Sequence, residues 1–246
     1  MYLYAYDSWV TEAQYARDVA DIENRLTDLG IASTVVRLGL FRDHIVALKS
    51  EIRKGGIRTI VAVGDDATLQ KTLDAVGDDK QIVVGYIPIT PKNGMANLLG
   101  IPSGVSACDV LSARLVEHLD AGEVNGRRFL HNATFEAENV VFTCEQRYTV
   151  TPKKKCVVEF RNFSGEDTQG IASPSDGKLT MLIRVPVFSL FSKKEYVTRI
   201  PVSHVFLKSN KPISVFFDKE RISSGELHFS CIPGRVRVIV GREKKF

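Results

Sequence analysis

The 246-residue chain is poor in the residues that build metal clusters and disulfide frameworks: it has four cysteines and five histidines. Cys108, Cys144, Cys156 and Cys231 form no Cys-x-x-Cys, and the histidines at 44, 118, 131, 204 and 228 form no His-Glu-x-x-His. A zinc site built by the protein is therefore not expected, and the cysteines read as reduced thiols of a cytosolic protein. No run approaches the ~18 consecutive apolar residues of a membrane-spanning helix. The opening MYLYAYDSWV lacks the basic and long apolar segments of a secretory leader. The Gly-x-Gly-x-x-Gly fingerprint and the Walker A pattern are also missing, as are internal repeats and low-complexity segments.

What remains is ordinary globular composition, 44% hydrophobic and 25% charged, long enough for one large or two small domains. The net charge of +4 is unevenly spread. Residues 1–122 hold 12 basic against 16 acidic side chains and residues 123–246 hold 21 against 13, hence −4 and +8. Such asymmetry suggests two units, the second with a surface that favours anions, although solvated strand faces also use Lys and Arg.

Periodicity divides the chain in the same way. In the first half, residues 2–6 read as a strand. Tyr15, Val19, Ile22, Leu26 and Leu29 form one helical stripe with Thr11 as its expected N-cap and Gly30 at its end. A strand at 32–37 and a helix with Ile45, Leu48 and Ile52 inward follow. Next come apolar strands at 58–63 and 81–87, and helices at 68–76 and 106–119. This alternation predicts an α/β domain with a mostly parallel sheet and right-handed crossovers.

The second half reads as short strands at 129–135, 139–143, 147–151, 156–161, 179–185, 203–207, 213–217, 226–232 and 235–240. They are separated by Ser-Gly, Asp-Gly and Pro-Gly turns. That predicts an antiparallel β-sandwich or open barrel, the sandwich being preferred, with domains at 1–122 and 123–246.

Ligands of open α/β sheets bind at the carboxyl ends of strands. The strand at 58–63 runs into Gly64-Asp65-Asp66-Ala67-Thr68, where backbone N–H groups could meet phosphate and Asp66 could hold Mg²⁺. The same residues also make a common turn with Asp as a helix N-cap. The strand at 81–87 ends in IPITPKNGMANLLGIP, in which Thr90 and Asn93 are the polar groups on offer.

Together, VAVGDDATL, IPITPKNGMANLLGIP, SPSDGKLTMLIRV and VFFDKERI resemble, in order, four motifs of the diacylglycerol kinase and lipid kinase catalytic-domain family. These are its GGDGT loop, its IPxGTxNDxAxxLGIP loop, its DGxLDV strand and its DGE turn. RRFLHNATFEA resembles the family's entry to its second domain. The LGIP and DGxLDV matches favour this branch over the NAD kinases, which share GGDGT.

The resemblance implies an ATP-dependent transfer of phosphate to the hydroxyl of a diacylglycerol-like lipid, with Mg²⁺. It implies Gly64, Asp65, Asp66, Ala67, Thr68, Thr90, Lys92 and Asn93 at the nucleotide. Asp7 and Ser8 stand where the family's first phosphate loop lies. Asp66 and Glu220 are the implied catalytic carboxylates, and Asp66 and Asp176 the implied metal ligands. The implied partners are nucleotide and lipid at an anionic membrane surface, not nucleic acid, with a homodimer left open. The implied place is the cytoplasm, at the inner face of the membrane.

Lys153-Lys154-Lys155, Lys193-Lys194 and Lys244-Lys245 are the candidate lipid-facing cations, and VPVFSLF at 185–191 is either an interfacial segment or a strand. The departures from the family fall on phosphate loops. Asp65 and Ala67 replace glycines, Thr90-Pro91-Lys92 replaces Gly-Thr-Gly, and Gly94, Thr180 and Lys219 replace Asp, Asp and Gly. These changes define the alternative, a catalytically inactive member that binds lipid, nucleotide or a protein partner.

Overall fold

The computed structural model describes all residues except 39–42, 78, 91–93, 165–171, 190–191 and 218–219. For 187–189, 192–194 and 220 it describes the backbone alone. The chain forms two compact units, Met1–Leu119 with Arg235–Lys245, and Asp120–Gly234 with Phe246. The segment that closes the chain thus groups with the first unit, whereas the sequence reading counts it with the second.

In the first unit, strands β1 (Tyr2–Tyr6), β2 (Thr34–Arg37), β3 (Thr59–Gly64) and β4 (Val83–Pro88) are joined by helices α1 (Ala16–Asp28), α2 (His44–Arg53) and α3 (Asp66–Val76). All pairings are parallel in the order β2-β1-β3-β4, with Val238 from the returning chain beside Val84. β3 and β4 are buried at every position, as expected of strands covered on both faces. Leu3, Ala5 and Ile60 meet Leu48 and Ala75 in one core. Ile22 and Leu26 form the buried stripe of α1, and Arg25 pairs with Asp109 at 2.5 Å.

Two boundaries differ from expectation. α1 is preceded by 3-10 turns Ser8–Thr11 and Ala13–Tyr15, so Thr11 caps nothing; its hydroxyl donates to Ser8 O at 2.7 Å. The helix expected over 106–119 stops early. After the short α4 (Gly94–Leu98), α5 spans Ala107–Ala113, and Arg114 takes a left-handed backbone (φ 53°). The chain then becomes strand β5 (Val116–Val124) and leaves the first unit.

The second unit is antiparallel, as the turn-rich pattern predicts. Its strands are β6 (Arg127–Phe129), β7 (Asn132–Ala137), β8 (Val141–Cys144), β9 (Tyr148–Val150), β10 (Cys156–Arg161), β11 (Leu179–Ser189), β12 (Ser192–Val202), β13 (His204–Phe217) and β14 (Glu220–Ile239), the last of which belongs to the first unit from Arg235 onward. β13 pairs with β8 at Val205 to Lys208 and with β7 at Phe216 and Phe217, its register on β14 shifting between Lys208 and Ile213. One long strand therefore serves two antiparallel sets, β9-β8-β13 and β12-β11-β10-β7-β13. Their inner faces share a core in which Phe135 meets Phe142 and Phe160 stacks on Phe229.

β12 was not foreseen in the sequence, and β14 merges two expected strands. Residues 185–189 lie in β11, paired with β12, with Val185 packed on the core. That is the strand reading of VPVFSLF; residues 190–191 lie outside the described residues. Among the described residues, no helix is long and apolar enough to cross a membrane.

Candidate active site

β2 and β3 lie on opposite sides of β1, so the strand order reverses there. In open α/β sheets, a crevice at the carboxyl ends of the strands forms at such a point. Asp7 ends β1, and its N–H donates to Val63 O at 3.1 Å, which sets it beside the loop that ends β3.

That loop is organised from within. Asp65 caps α3: its carboxylate accepts from Thr68 N–H at 3.0 Å, while Thr68 Oγ1 accepts from Asp65 N–H at 3.2 Å. Asp65 is extended (φ −117°), and Asp66 and Ala67 are already helical. No residue from 64 to 68 needs a left-handed backbone, so the replacement of glycine by Ala67 creates no strain here. Gly64 is required for space instead, since a Cβ there would lie 2.4 Å from Thr68 Oγ1.

Two further carboxylates converge on the loop. Asp7, almost wholly buried, accepts from Ser8 N–H at 2.7 Å and Ser8 Oγ at 3.2 Å. It also accepts from Thr68 Oγ1 at 2.8 Å and lies 3.5 Å from Lys71 Nζ. Asp66 accepts from the Tyr86 hydroxyl at 3.1 Å and from Met95 N–H at 3.2 Å, which ties α3 to the start of α4. Burial, then the Asp66 charge and hydrogen bond, push the Tyr86 phenol far above its ordinary pKa, so it stays a donor. Thr90 is half-buried, and its carbonyl accepts from Ser103 Oγ at 3.4 Å.

The structure thus brings Asp7, Ser8, Gly64, Asp65, Asp66, Ala67 and Thr68 together. Lys92 and Asn93 lie outside the described residues, as does the Glu220 side chain. Asp176 stands in the second unit, exposed at a turn, and accepts from Lys178 N–H at 2.9 Å.

Sequence reasoning missed Lys71, Tyr86 and Asp120. The three-residue helical spacing from Thr68 signalled Lys71. Asp120, buried in the second unit, accepts from Gly177 N–H at 2.7 Å and Gly234 N–H at 2.8 Å.

A residue profile of the diacylglycerol kinase catalytic domain matches residues 10–124. Over that segment the chain is similar to the family whose motifs its sequence resembles. Two Pseudomonas aeruginosa proteins named probable lipid kinase YegS-like are 33% and 32% identical to it over 85 residues, 34% of this chain. The matched segment spans only 28% of their length. A diacylglycerol kinase from Bacillus anthracis aligns over 99% of this chain and 97% of its own, with TM-score 0.81 and 13% identity. A second structure of that kinase class from the same organism gives TM-score 0.77 at 14% identity. At such identity these two speak for the fold alone.

Within the family pattern, Leu99-Gly100 has a structural task in this chain. Gly100 (φ +67°) and Gly241 let two backbones touch, for a Cβ on Gly100 would lie 2.5 Å from Lys244 N. Gly241 N–H and Lys245 N–H donate to Leu99 O and Leu98 O at 2.9 Å each.

Of the lysines expected to face lipid, Lys155 pairs with Glu136 at 2.8 Å and Lys244 pairs with Glu117, while Lys153 and Lys154 are exposed. The Lys193 and Lys194 side chains lie outside the described residues. Among the described residues there is no cluster of three or more His, Cys, Asp or Glu side chains suited to a metal. Asp66 therefore fits Mg²⁺ only in the manner of a single carboxylate, with phosphate and water completing the shell.

Proposed function

We propose that the chain is a nucleotide-dependent lipid kinase that passes the terminal phosphoryl group of ATP to the hydroxyl of a diacylglycerol-like lipid. One observation carries the reading: the ends of β1 and β3, with the start of α3, gather hydroxyl, backbone N–H, ammonium and carboxylate groups where the strand order reverses.

In this reading Ser8, Thr68 and Lys71 face the phosphates, with Gly64 giving them room, while Thr90, Lys92 and Asn93 keep the nucleotide-binding role that the family resemblance implies. Asp65 holds the first turn of α3. Asp66 orients the acceptor hydroxyl and takes its proton as the oxygen attacks phosphorus and the bond to ADP breaks. Bound Mg²⁺ would spread the charge on the phosphates, with Asp66 as its protein ligand. Glu220 and Asp176 keep the roles that the family resemblance implies. Peripheral association with an anionic membrane would rest on exposed cations such as Lys153 and Lys154.

A second reading, a family member that binds without catalysis, is favoured by the internal hydrogen bonds that already occupy Asp65 and both oxygens of Asp66. Thermal unfolding with millimolar Mg-ATP or Mg-GTP, then labelled phosphate transfer to diacylglycerol in anionic vesicles, separates the two. The kinase reading expects a rise of several degrees at saturation, and transfer that Asp66→Asn abolishes. A thermal shift without transfer supports the binder, and transfer that survives Asp66→Asn removes that residue from the chemistry.

A further inference from the structure

The Asp7 carboxylate is 4% exposed, and its donors come from the residue after it and from helix α3. One oxygen accepts from the N–H and hydroxyl of Ser8, the other from the Thr68 hydroxyl, with Lys71 Nζ at 3.5 Å. One N–H, two hydroxyls and an ammonium converging on a single anion form the kind of donor set that holds a phosphoryl oxygen. The set lies where the strand order reverses, and the Lys71 side chain keeps 38% of its exposure, so the position is open on one side.

We propose that Asp7 is an internal anion seated in a phosphoryl pocket formed by Ser8, Thr68 and Lys71, and that an incoming phosphate must displace it. The proposal rests on the kinase reading only for the identity of the ligand, a nucleotide. Asp7 then sets the affinity of the site, holding it weak until a ligand competes for Thr68 and Lys71. Asp7 also caps the 3-10 turn Ser8–Thr11, but a cap needs no charge, and Asn caps as well as Asp. The charge placed against Lys71 is what a cap leaves unexplained.

The test is titration calorimetry of the full chain with Mg-ATP and, separately, with inorganic phosphate. It compares wild type, Asp7→Asn, and Asp7→Asn combined with Lys71→Met, each first shown to unfold cooperatively. Asp7→Ser, which also keeps a capping oxygen, replaces Asp7→Asn if the latter does not fold. Expected is at least tenfold tighter Mg-ATP binding by Asp7→Asn, about 1.4 kcal/mol, with the gain lost in the double variant. Equal or weaker binding of both ligands by the folded single variants overturns the proposal. In that case measurable Mg-ATP binding by wild type leaves the kinase reading standing. A gain for inorganic phosphate with no Mg-ATP binding by any form supports the pocket and overturns the nucleotide.

Discussion

In the second unit, the buried carboxylate of Asp120 is held by the N–H groups of Gly177 and Gly234. That of Glu159 is held by Asn132 Nδ2 and Arg161 Nε at 2.7 Å, with Arg184 at 3.7 Å. In the first unit, Asp7 and Asp66 rest mainly on hydroxyls, single N–H groups and a lysine at longer range. Backbone N–H groups at a turn and nearly buried guanidinium groups cannot turn away from their anion, so the second unit's acids are parts of its frame. Hydroxyls rotate and a partly exposed ammonium swings, so the first unit's acids sit among donors that can change partners. Buried carboxylates of the two units thus differ in the freedom of their donors, and the proposed function reads that freedom as the mark of the acids that meet a ligand.

The largest effect expected from that contrast is at Asp120. Asp120→Ala leaves two N–H groups without their acceptor, each worth about 1–3 kcal/mol, so equilibrium denaturation should show a loss of roughly 2–5 kcal/mol. A loss below about 1 kcal/mol would break the comparison, because the turns would then hold without their acid. Next comes Glu159→Gln, which removes the charge that faces Arg161 and Arg184, 17% and 15% exposed, while Arg184 keeps Glu195 at 3.3 Å. Breaking a fully buried pair costs about 3–5 kcal/mol, and the residual exposure here lowers that to roughly 2–3 kcal/mol.

The two units were also unequally legible in the sequence. The first unit's strands and helices are local units with one period each, so β3, β4 and the stripe on α1 could be read almost residue by residue. The end of α5 could not: the chain turns at Arg114 by a left-handed backbone in a residue other than glycine, which leaves no mark in a hydrophobic pattern. In the second unit, long-range pairing decides the strands. β12 carries Lys, Glu, Tyr and Arg, and Glu195, Tyr196 and Arg199 are exposed. It has no apolar alternation to announce it, and it becomes a strand by pairing with β11.

The loop at 64–68 was found because its residues adjoin in the chain. Lys71 and Tyr86 were missed because only the fold brings them to Asp7 and Asp66. The family pattern gave Asp65 as an extra charge facing phosphate, and the structure gives it a place as a helix cap.

Asp65 therefore sharpens the comparison from the other side, as a carboxylate of the first unit that behaves like those of the second. Asp65→Ala should cost about 1 kcal/mol in denaturation, the usual worth of an N-cap. Asp65→Asn should recover most of that, since its amide oxygen can take the same N–H. If Asp65→Asn instead abolishes Mg-ATP binding while keeping stability, Asp65 belongs with Asp7 and Asp66 at the ligand.

The smallest effect is expected from the thiols, which report the two units separately because Cys108 lies in the first and Cys144, Cys156 and Cys231 in the second. Burial raises the pKa of all four, Cys108 to about 11 and Cys231 to about 12. At pH 8 the folded chain should therefore be inert to a thiol reagent, with four groups reacting after unfolding. The folded values lie above the unfolded value near 9, so the native state keeps protons that the unfolded chain releases. Stability should hold below pH 9 and fall as pH rises toward 11 and 12. In mild denaturant, reaction of one thiol ahead of the other three would show the first unit opening while the second remains closed. Simultaneous reaction of all four would mean that the chain unfolds as one, and that the contrast in its carboxylates has no counterpart in its stability.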